Sequence, residues 1–310
     1  MSLTKSPGYS QSIHLNNTLG SSKSELRGVS ILSQLSASSV VGVYSLRAVT
    51  GQTAKAIRVL RKSDNAQQDF WADRLGNLLT VPVTGTPLQT WLAGSAANVL
   101  TWYDQSSLAR NATGTLATIV QSSNVNQQWA INTTNSGFNL SGGTFLNGTD
   151  FTITCTTRRL GTQGNDGVYG YGANSSWVSQ ASVPTTYGNN TRFSLVMPNA
   201  GSSTIAFNDS SYSPAFSSAS GTLPTSFVSA TEPVVYTAVT FTQANQQMYI
   251  NGSSSGAAST SLTWLTANSA TNFTIGSVNY YGNFLGEIGE LIIFNTALSA
   301  QDISKLYSLR

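Results

Sequence analysis

The sequence contains few charges, one cysteine, one histidine and no long hydrophobic run. Charged residues make up 9% of its 310 residues, against about a quarter in a typical soluble domain. With a single cysteine, Cys155, the chain cannot form an internal disulfide, and Cys155 and His14 alone cannot build a Cys/His zinc site. His14 stands in a polar stretch without a catalytic motif, which excludes a Ser-His-Asp triad. The sequence therefore predicts no metal site and no cofactor.

Membrane and export signals are also missing. No stretch reaches the roughly eighteen consecutive apolar residues of a transmembrane helix. Residues 1–20 lack the apolar core of a signal peptide, so we expect none.

What the chain has instead is a polar composition that is also rich in aromatic side chains. Ser, Thr and Asn together account for about a third of the residues, and aromatic residues make up 10%. Disordered segments have few aromatic and β-branched residues. We therefore predict a folded domain whose surface is built from hydroxyls and amides.

Short apolar and β-branched runs bounded by turn residues predict strands from Val40 onward. These runs are 40–46, 56–61, 98–104, 151–159, 191–197, 203–207, 234–242, 247–250, 272–276 and 286–295. Alternation in the fourth run places Cys155 on an apolar face, where it is expected to be a small core side chain. The last run is apolar on both faces, with Ile288, Ile292 and Phe294 on one of them, which is typical of a strand covered on both sides.

The sequence predicts only two helices. The first, 86–94, begins with Thr86 as its N-cap. The second, 298–309, begins with Ser299 and has Asp302 three residues later, a pair that resembles a capping box. Its predicted inward face consists of Ile303, Leu306 and Tyr307. Many short strands with two minor helices indicate an all-β fold, a β-sandwich or jelly roll.

The composition divides the chain into two regions. Residues 1–39 are rich in serine and aperiodic, so we interpret them as an extended N-terminal arm or docking segment, which orders only when tied down. Residues 40–310 are interpreted as one β domain. The basic segment 47–62 carries five cations and no acid. This pattern fits a solvated strand face or a contact with an acidic neighbour, and we predict no nucleic-acid partner.

Two blocks in the second half resemble concanavalin A-like, laminin-G-like domains. Residues 236–256 and 273–306 contain a strand, a turn, a strand ending in Asn251-Gly252, and a final strand that leads into a short helix. The Asn-Gly pair suits the positive φ angles of a tight hairpin. Two earlier blocks, 44–70 and 87–113, are similar to the catalytic domain of the arabinofuranosidase B family. Both resemblances imply a concanavalin A-like β-sandwich (jelly roll) over the domain region.

The resemblance to arabinofuranosidases raises the question of activity, because glycoside hydrolysis needs two carboxyl groups beside the scissile bond. At the place of one family acid this sequence has Val278, and the strand matched to the other, 191–197, contains no acid. Glu287 and Glu290 are three residues apart on a predicted strand, so we expect them on opposite faces. We predict that the protein is not an enzyme, with a glycoside hydrolase as the alternative.

The other acids fit structural roles. Asp64, Asp69 and Asp73 lie beside the early cations, and we expect them to form ion pairs or turn hydrogen bonds. Asp104 follows a strand in a Tyr-Asp-Gln-Ser turn, where its side chain is expected to bind nearby backbone N–H groups. A Ca²⁺ site using Asp104 or Asp166 is the alternative interpretation.

An aromatic, amide-containing segment near the middle of the chain predicts a ligand surface. The candidate ligand-binding residues are Tyr169, Tyr171, Asn174, Trp177 and Tyr281. Sugar sites combine an aromatic platform with side chains of this kind. The alternative is that Tyr169 and Tyr171 pack inside the sandwich.

The combination of a β-sandwich, few charges and a polar arm resembles domains of particle proteins in large DNA viruses and phages. This resemblance implies a non-enzymatic structural component of the virion, of the minor capsid, vertex or fibre type. Its expected partners are other particle or capsid proteins, contacted through residues 1–39 and the basic segment 47–62. The alternative is a lectin-like attachment module that binds glycans, secreted or at the cell surface by a route without a signal peptide.

Overall fold

The computed structural model describes residues 32, 40–122, 129–141, 145–146, 150–161, 166–172, 193–197, 204–209, 217–222, 235–242, 245–259, 272–278 and 282–309. The strands are β1 (Val40–Ser45), β2 (Thr53–Arg61), β3 (Gln67–Asp73), β4 (Leu78–Leu79), β5 (Ala97–Trp102), β6 (Ala112–Thr113), β7 (Thr118–Gln121), β8 (Trp129–Asn132), β9 (Phe138–Ser141), β10 (Phe151–Arg159), β11 (Asp166–Gly172), β12 (Phe193–Met197), β13 (Thr204–Asp209), β14 (Ser217–Thr222), β15 (Val235–Thr242), β16 (Asn245–Ile250), β17 (Ser253–Ser259), β18 (Asn272–Ile275), β19 (Ser277–Val278), β20 (Gly282–Asn283) and β21 (Gly286–Phe294). The α-helices of these ranges are α1 (Leu88–Leu92) and α2 (Ala300–Ser308). Each predicted strand run contains a strand, and the all-β prediction is confirmed.

Hydrogen bonding arranges the strands in two layers. The front layer has the order β4-β3-β2-β5-β6-β9-β18-β11-β12-β13-β14. The back layer has the order β1-β21-β10-β15-β16-β17. Strands β7 and β8 link β5 of the front layer to β21 of the back layer. These pairs are all antiparallel, whereas β11 also makes one parallel contact with β20.

The main core lies between the two layers. Trp102 and Phe138 of the front layer pack edge to face, with ring centroids 5.8 Å apart. Ile153, Cys155 and Ile293 of the back layer are fully buried in the same apolar cluster. The prediction that Cys155 is a small core side chain is confirmed. Each large apolar side chain buried in this way contributes about 1.5–3 kcal/mol to folding.

A second apolar cluster covers the outer face of the back layer. Val43 and Ile292 point to this face, and Ile303 and Leu306 of α2 pack over them. Leu32, the described residue of the predicted arm, is partly buried against the same cluster. The back layer is therefore covered on both sides, which explains why β21 is apolar throughout.

The two helices match the predictions differently. The Ser299 hydroxyl accepts a hydrogen bond from the Asp302 backbone N–H at 3.1 Å, which confirms the predicted cap of α2. Tyr307 was predicted to face inward but is 42% exposed. The predicted N-cap of α1 is wrong, because the helix begins after Pro87. Thr86 instead uses its backbone N–H and C=O to pair with Thr80 in the preceding loop.

The β16–β17 hairpin has the predicted Asn-Gly turn. Asn251 and Gly252 adopt φ angles of 50° and 81°, as the tight hairpin requires. The Asn251 side chain accepts a hydrogen bond from the Tyr236 backbone N–H at 3.1 Å. A Cβ on Gly252 would lie 3.0 Å from the Tyr307 side chain, so glycine also allows α2 to approach the turn.

A β-bulge in β21 changes which side chains share a face. Opposite β10, Thr156 pairs with Glu290 whereas Thr157 pairs with Ile288, so Gly289 is the extra residue. The bulge moves Ile288 into the main core, away from Ile292, which corrects the predicted face of Ile288. It also places Glu287 and Glu290 on the same face, and the prediction that they lie on opposite faces is wrong.

Glu290 is fully buried and is paired with a buried cation. One of its carboxylate oxygens lies 3.0 Å from Nε of Arg47 and accepts a hydrogen bond from the Ser45 hydroxyl at 2.9 Å. The Arg47 guanidinium also donates to the backbone carbonyl of Leu309 at 3.1 Å. This ion pair therefore joins β1, β21 and the end of α2.

Asp104 joins the front layer to the edge of β1, as a turn residue. Its carboxylate accepts hydrogen bonds from the backbone N–H groups of Val43, Ser106 and Arg110 at 2.8–2.9 Å. The next residue, Gln105, donates its side-chain amide to the carbonyls of Ser45 and Arg47. The predicted backbone-binding role of Asp104 is confirmed.

The buried ion pair makes a prediction about stability. Glu290→Gln leaves the Arg47 guanidinium buried without a counter-ion, and we expect the free energy of unfolding to fall by about 3–5 kcal/mol. Urea unfolding at pH 7 measures the change. As a control, Asp64→Asn breaks an exposed pair with Arg61 and should cost much less than loss of the buried pair. Equal losses in the two variants would contradict the role assigned to the buried pair.

Candidate ligand-binding face

The predicted aromatic surface is not assembled within the described residues. Tyr169 is fully buried and stacks on Phe273, with ring centroids 6.0 Å apart. Burial raises the pKa of the Tyr169 hydroxyl well above its ordinary value. Tyr169 is therefore a core residue, which corrects its assignment to a ligand surface. Tyr171 lies farther along β11 and pairs with Phe193 and Phe273.

The other three candidates, Asn174, Trp177 and Tyr281, lie outside the described residues. The position matched to a family acid, Val278, belongs to the short strand β19. Asp166, considered for calcium, is in β11. Among the described residues, no group of three or more His, Cys, Asp or Glu side chains is arranged to hold a metal ion.

The outer face of the front layer carries a continuous row of polar residues. Arg58, Thr101, Thr113, Asn139 and Thr274 are consecutive register partners on β2, β5, β6, β9 and β18, and we call them the polar row. Arg58, Thr113 and Asn139 are exposed, and the other two are half-buried. Because four strand spacings of roughly 4.8 Å separate the ends, the row is roughly 19 Å long.

The strands place the row outward because their alternate residues fill the core. Ile57, Trp102, Ala112, Phe138 and Phe273 are the buried neighbours of the five row residues. Two hydroxyls of the row also tie adjacent strands together. Thr113 donates to the carbonyl of Asn139, and Thr274 to that of Gly170, each at 3.4 Å. The row is thus a surface of hydroxyl, amide and guanidinium groups on a rigid sheet.

A charged cluster forms one end of the polar row. Asp69 accepts hydrogen bonds from Nε and Nη2 of Arg58 at 2.8 and 3.0 Å, and its carboxylate lies 2.8 Å from Nζ of Lys55. The Tyr103 hydroxyl donates to the same carboxylate at 2.7 Å. The Lys55 ammonium lies 4.3 Å from the ring centroid of Tyr103 and 5.5 Å from that of Trp71. These five residues are called the Asp69 cluster.

The contacts keep the cluster ionised at neutral pH. Burial alone would raise the pKa of Asp69, but hydrogen bonds from Arg58, Lys55 and Tyr103 hold it well below its ordinary value. The hydrogen bond to Asp69 raises the pKa of Lys55. Burial and the hydrogen bond to Asp69 both raise the pKa of Tyr103, which therefore remains a neutral donor. The cluster carries two positive charges and one negative charge.

The cations of the basic segment 47–62 therefore differ in their availability. Arg47 is buried against Glu290, so its charge is used inside the fold. Arg61 lies 2.6 Å from Asp64. Lys55 and Arg58 have 38% and 45% of their side chains exposed, whereas Asp69 has 16% exposed. The ion pairs predicted for the early acids are confirmed for Asp64 and Asp69.

Most described carboxylates hold the fold together. Asp73 accepts hydrogen bonds from the backbone N–H groups of Leu75 and Asn77, which confirms the predicted turn role. Glu287 lies 3.4 Å from Arg158. Carboxylates with structural partners include Asp64, Asp69, Asp73, Asp104, Glu287, Glu290 and Asp302.

The polar row and the Asp69 cluster are not predicted by the amino-acid sequence alone. The sequence does show that each row residue alternates with an apolar neighbour. Their alignment depends on pairings between distant segments, such as Thr113 with Asn139 and Asn139 with Thr274. Register of this kind is set by the whole sheet, so a single strand does not reveal it.

Comparison with known proteins identifies similar sequences and folds. A laminin-G-like family model, described as the concanavalin A-like lectin/glucanases superfamily, matches residues 132–304. No curated protein matches the sequence. Within the described residues, no helix has the length and apolarity needed to cross a membrane.

Three solved structures are similar to this chain, and the two with TM-scores above 0.5 illustrate the similarity in fold. A GH54 α-L-arabinofuranosidase mutant soaked with 4-nitrophenyl α-L-arabinofuranoside has a TM-score of 0.54 and 15% identity, covering 87% of this chain and 63% of its own. An arabinofuranosidase complexed with arabinofuranosyl-α-1,2-xylobiose has a TM-score of 0.55 and 14% identity, and the match covers 87% of this chain and 62% of that protein. Trypanosoma rangeli sialidase in complex with the inhibitor DANA has a TM-score of 0.45 and 13% identity, and the match covers 67% of this chain and 30% of that protein. This chain spans less than two thirds of each of these proteins, and identities this low show the fold alone.

The Asp69 cluster makes stability depend on pH. Because the folded pKa of Asp69 is lowered, its contribution is complete above the ordinary carboxyl pKa of about 4 and is lost as pH falls through the lower folded value. We expect Asp69→Asn to cost about 1–2 kcal/mol at pH 7, between the values for surface and buried pairs. The difference from the wild type should shrink below about pH 4.

Urea unfolding at several pH values measures this difference. Asp64→Asn serves as the control, because the hydrogen bonds from Arg61 lower the pKa of Asp64 to about 2 in a pair at the surface. Its effect should have the same direction and be smaller. A penalty for Asp69→Asn that stays constant between pH 7 and the acid limit would contradict the ionic role of Asp69.

Proposed function

Because the chain belongs to the concanavalin A-like lectin/glucanases superfamily, we propose that it is a non-enzymatic β-sandwich module and a structural component of a virus particle. The observation that carries the non-enzymatic part is that most of the described carboxylates are engaged in ion pairs or hydrogen bonds of the fold. Glycosidases of the usual kind place two carboxyl groups about 5–9.5 Å apart beside an accessible sugar site. On the outer face of the front layer, the Asp69 cluster contains one carboxylate, that of Asp69. Arg58, Lys55 and Tyr103 bind it.

Glu287 and Glu290 are two carboxylates that share one strand. The bulge at Gly289 puts them on one face of β21. Each is nonetheless buried and faces its own arginine, Arg158 or Arg47. A sugar would have to displace these ion pairs to reach the carboxylates, so we assign both acids to stability.

The particle assignment is supported by composition and by the arm. Charged residues make up only 9% of the chain, whereas hydroxyl and amide side chains are abundant. This composition suits packing between neighbouring subunits, because unpaired charges are costly in an interface. Leu32 packs on the outer face of the back layer, beside α2. We propose that the residues before Leu32 contact a neighbouring particle protein, while the front layer keeps its polar row accessible.

The non-enzymatic proposal predicts the outcome of a hydrolysis assay. We expect no release of 4-nitrophenol from 4-nitrophenyl α-L-arabinofuranoside above the buffer rate, since the Asp69 carboxylate beside the polar row is bound by Arg58, Lys55 and Tyr103. Absorbance over hours at several pH values measures the release, with an active arabinofuranosidase as positive control. Turnover that disappears in Asp69→Asn, with the fold intact, would contradict the proposal.

The structural role predicts that the arm is needed for assembly. A variant lacking residues 1–31 keeps Leu32 and its contacts, so its thermal unfolding should match that of the full chain. We expect this variant, and one lacking residues 1–39, to be absent from purified particles that contain the full chain. Mass spectrometry of those particles measures incorporation. Normal incorporation of a folded variant without residues 1–31 would refute the arm's role.

A second candidate function is carbohydrate binding, and the polar row is the observation that favours it. Hydroxyl and amide groups at regular spacing on a rigid sheet offer donors and acceptors that match sugar hydroxyls. Trp71 and Tyr103 at one end add aromatic surface. Such a module binds a glycan without cleaving it, in agreement with the engagement of the acids.

A further inference from the structure

The polar row has an electrostatic polarity that points to a particular ligand. Thr101, Thr113, Asn139 and Thr274 are neutral, whereas Arg58 and Lys55 stand together at one end. With the charge of Asp69 included, this end has a net charge of one positive unit. A neutral row with one cationic end is suited to a ligand that carries hydroxyls along its length and a negative group at a defined position.

The cations have donor capacity beyond their contacts with Asp69. Arg58 binds Asp69 through Nε and Nη2, and this bidentate contact does not use Nη1. The Lys55 ammonium has three donors, and its contact with Asp69 is one ion pair, 2.8 Å long. Asp69 and Tyr103 already hold both cations in place. Binding of a ligand therefore costs less side-chain conformational entropy than it would with mobile cations.

The aromatic side chains complete this end of the row. Trp71 is the register partner of Lys55 on the adjacent strand, and Tyr103 follows β5. Their rings flank the Lys55 ammonium at 5.5 and 4.3 Å. Both rings therefore stand beside the cations, where they can contact the apolar face of a sugar whose acidic group binds Arg58 or Lys55.

The distribution of charge favours a glycan over a nucleic acid. A nucleic acid places a phosphate at every nucleotide and is bound by cations that follow the backbone. Here the cations are confined to the Arg58 end, and the next four strands present Thr101, Thr113, Asn139 and Thr274. The strand spacing of roughly 4.8 Å is comparable with the repeat of an extended pyranose chain.

We propose that the outer face of the front layer binds an acidic oligosaccharide, with a carboxylate or sulfate on Arg58 and Lys55 and the following sugar units along Thr101, Thr113 and Asn139. The proposal rests on the carbohydrate-binding function given above as the second candidate. It adds the class of ligand, the site and the direction in which the ligand lies across the strands.

Titration calorimetry with the full chain tests the proposal. The probes are hexagalacturonate and a sulfated heparin-derived hexasaccharide, each beside a neutral counterpart: the methyl-esterified form of the first, and the desulfated, carboxyl-reduced form of the second. A single-stranded oligothymidylate of about ten nucleotides reports general polyanion binding. We expect one or both acidic glycans to bind about tenfold more tightly than their neutral forms, because charge-assisted hydrogen bonds are about twice as strong as neutral ones.

Variants locate the site. Arg58→Gln should weaken binding of the acidic glycan about tenfold and weaken binding of the neutral form by a clearly smaller factor. Asn139→Ala should weaken both forms by the same factor. Arg61→Gln is the matched control, since Arg61 lies on the same strand and pairs with Asp64 away from the row; it should change neither affinity. Lys55→Gln is a second charge variant, and thermal unfolding verifies that each variant is folded.

The outcomes separate this proposal from the broader function. Equal affinity for acidic and neutral glycans, or unchanged acidic binding in both Arg58→Gln and Lys55→Gln, overturns the acidic-ligand proposal and leaves carbohydrate binding in place. Binding of none of the four glycans overturns both. Oligothymidylate binding tighter than glycan binding and lost in Arg58→Gln overturns the assignment to a glycan.

Discussion

The ion pair between Arg47 and Glu290 is the interaction on which the arrangement of the back layer depends. Glu290 lies in the centre of β21, a strand that is buried along its whole length. An isolated carboxylate in such a place would be too costly to keep charged. Arg47 supplies the counter-ion and also binds the carbonyl of Leu309 after α2. The same charge thus neutralises the central strand and fixes the helix that covers it.

The sparse charges of the chain are divided between its two layers in different ways. In the back layer, Arg47 and Arg158 neutralise Glu290 and Glu287 inside the structure. In the front layer, Lys55 and Arg58 share Asp69 at the surface, so positive charge remains accessible. The back layer uses ion pairs to attach other elements, and the front layer uses one to hold cations on an open face. This division leaves positive charge on the face for which we propose a binding role.

Local patterns predicted the features that depend on neighbouring residues. The alternation around Cys155, the cap at Ser299, the turn at Asn251 and the backbone-binding role of Asp104 all follow from short-range chemistry. The superfamily resemblance supplied the sandwich. The failures arose where distant segments decide the outcome. The bulge at Gly289 depends on how β10 and β8 pair with β21, and the alignment of the polar row depends on five strands from across the chain. Tyr169 points inward because β11 pairs with β18, whose Phe273 stacks on it.

The position of Cys155 gives the molecule a built-in reporter of its own opening. It is the one thiol of the chain, and it is fully buried in β10 between β15 and β21. A thiol reagent can reach it only when these central strands separate, since buried thiols in apolar surroundings are inert. The rate of its modification therefore measures how often the back layer opens, in the same way that amide exchange reports sub-global unfolding. Opening of the back layer can therefore be followed through Cys155 without introducing a label, both in the isolated protein and in an assembly.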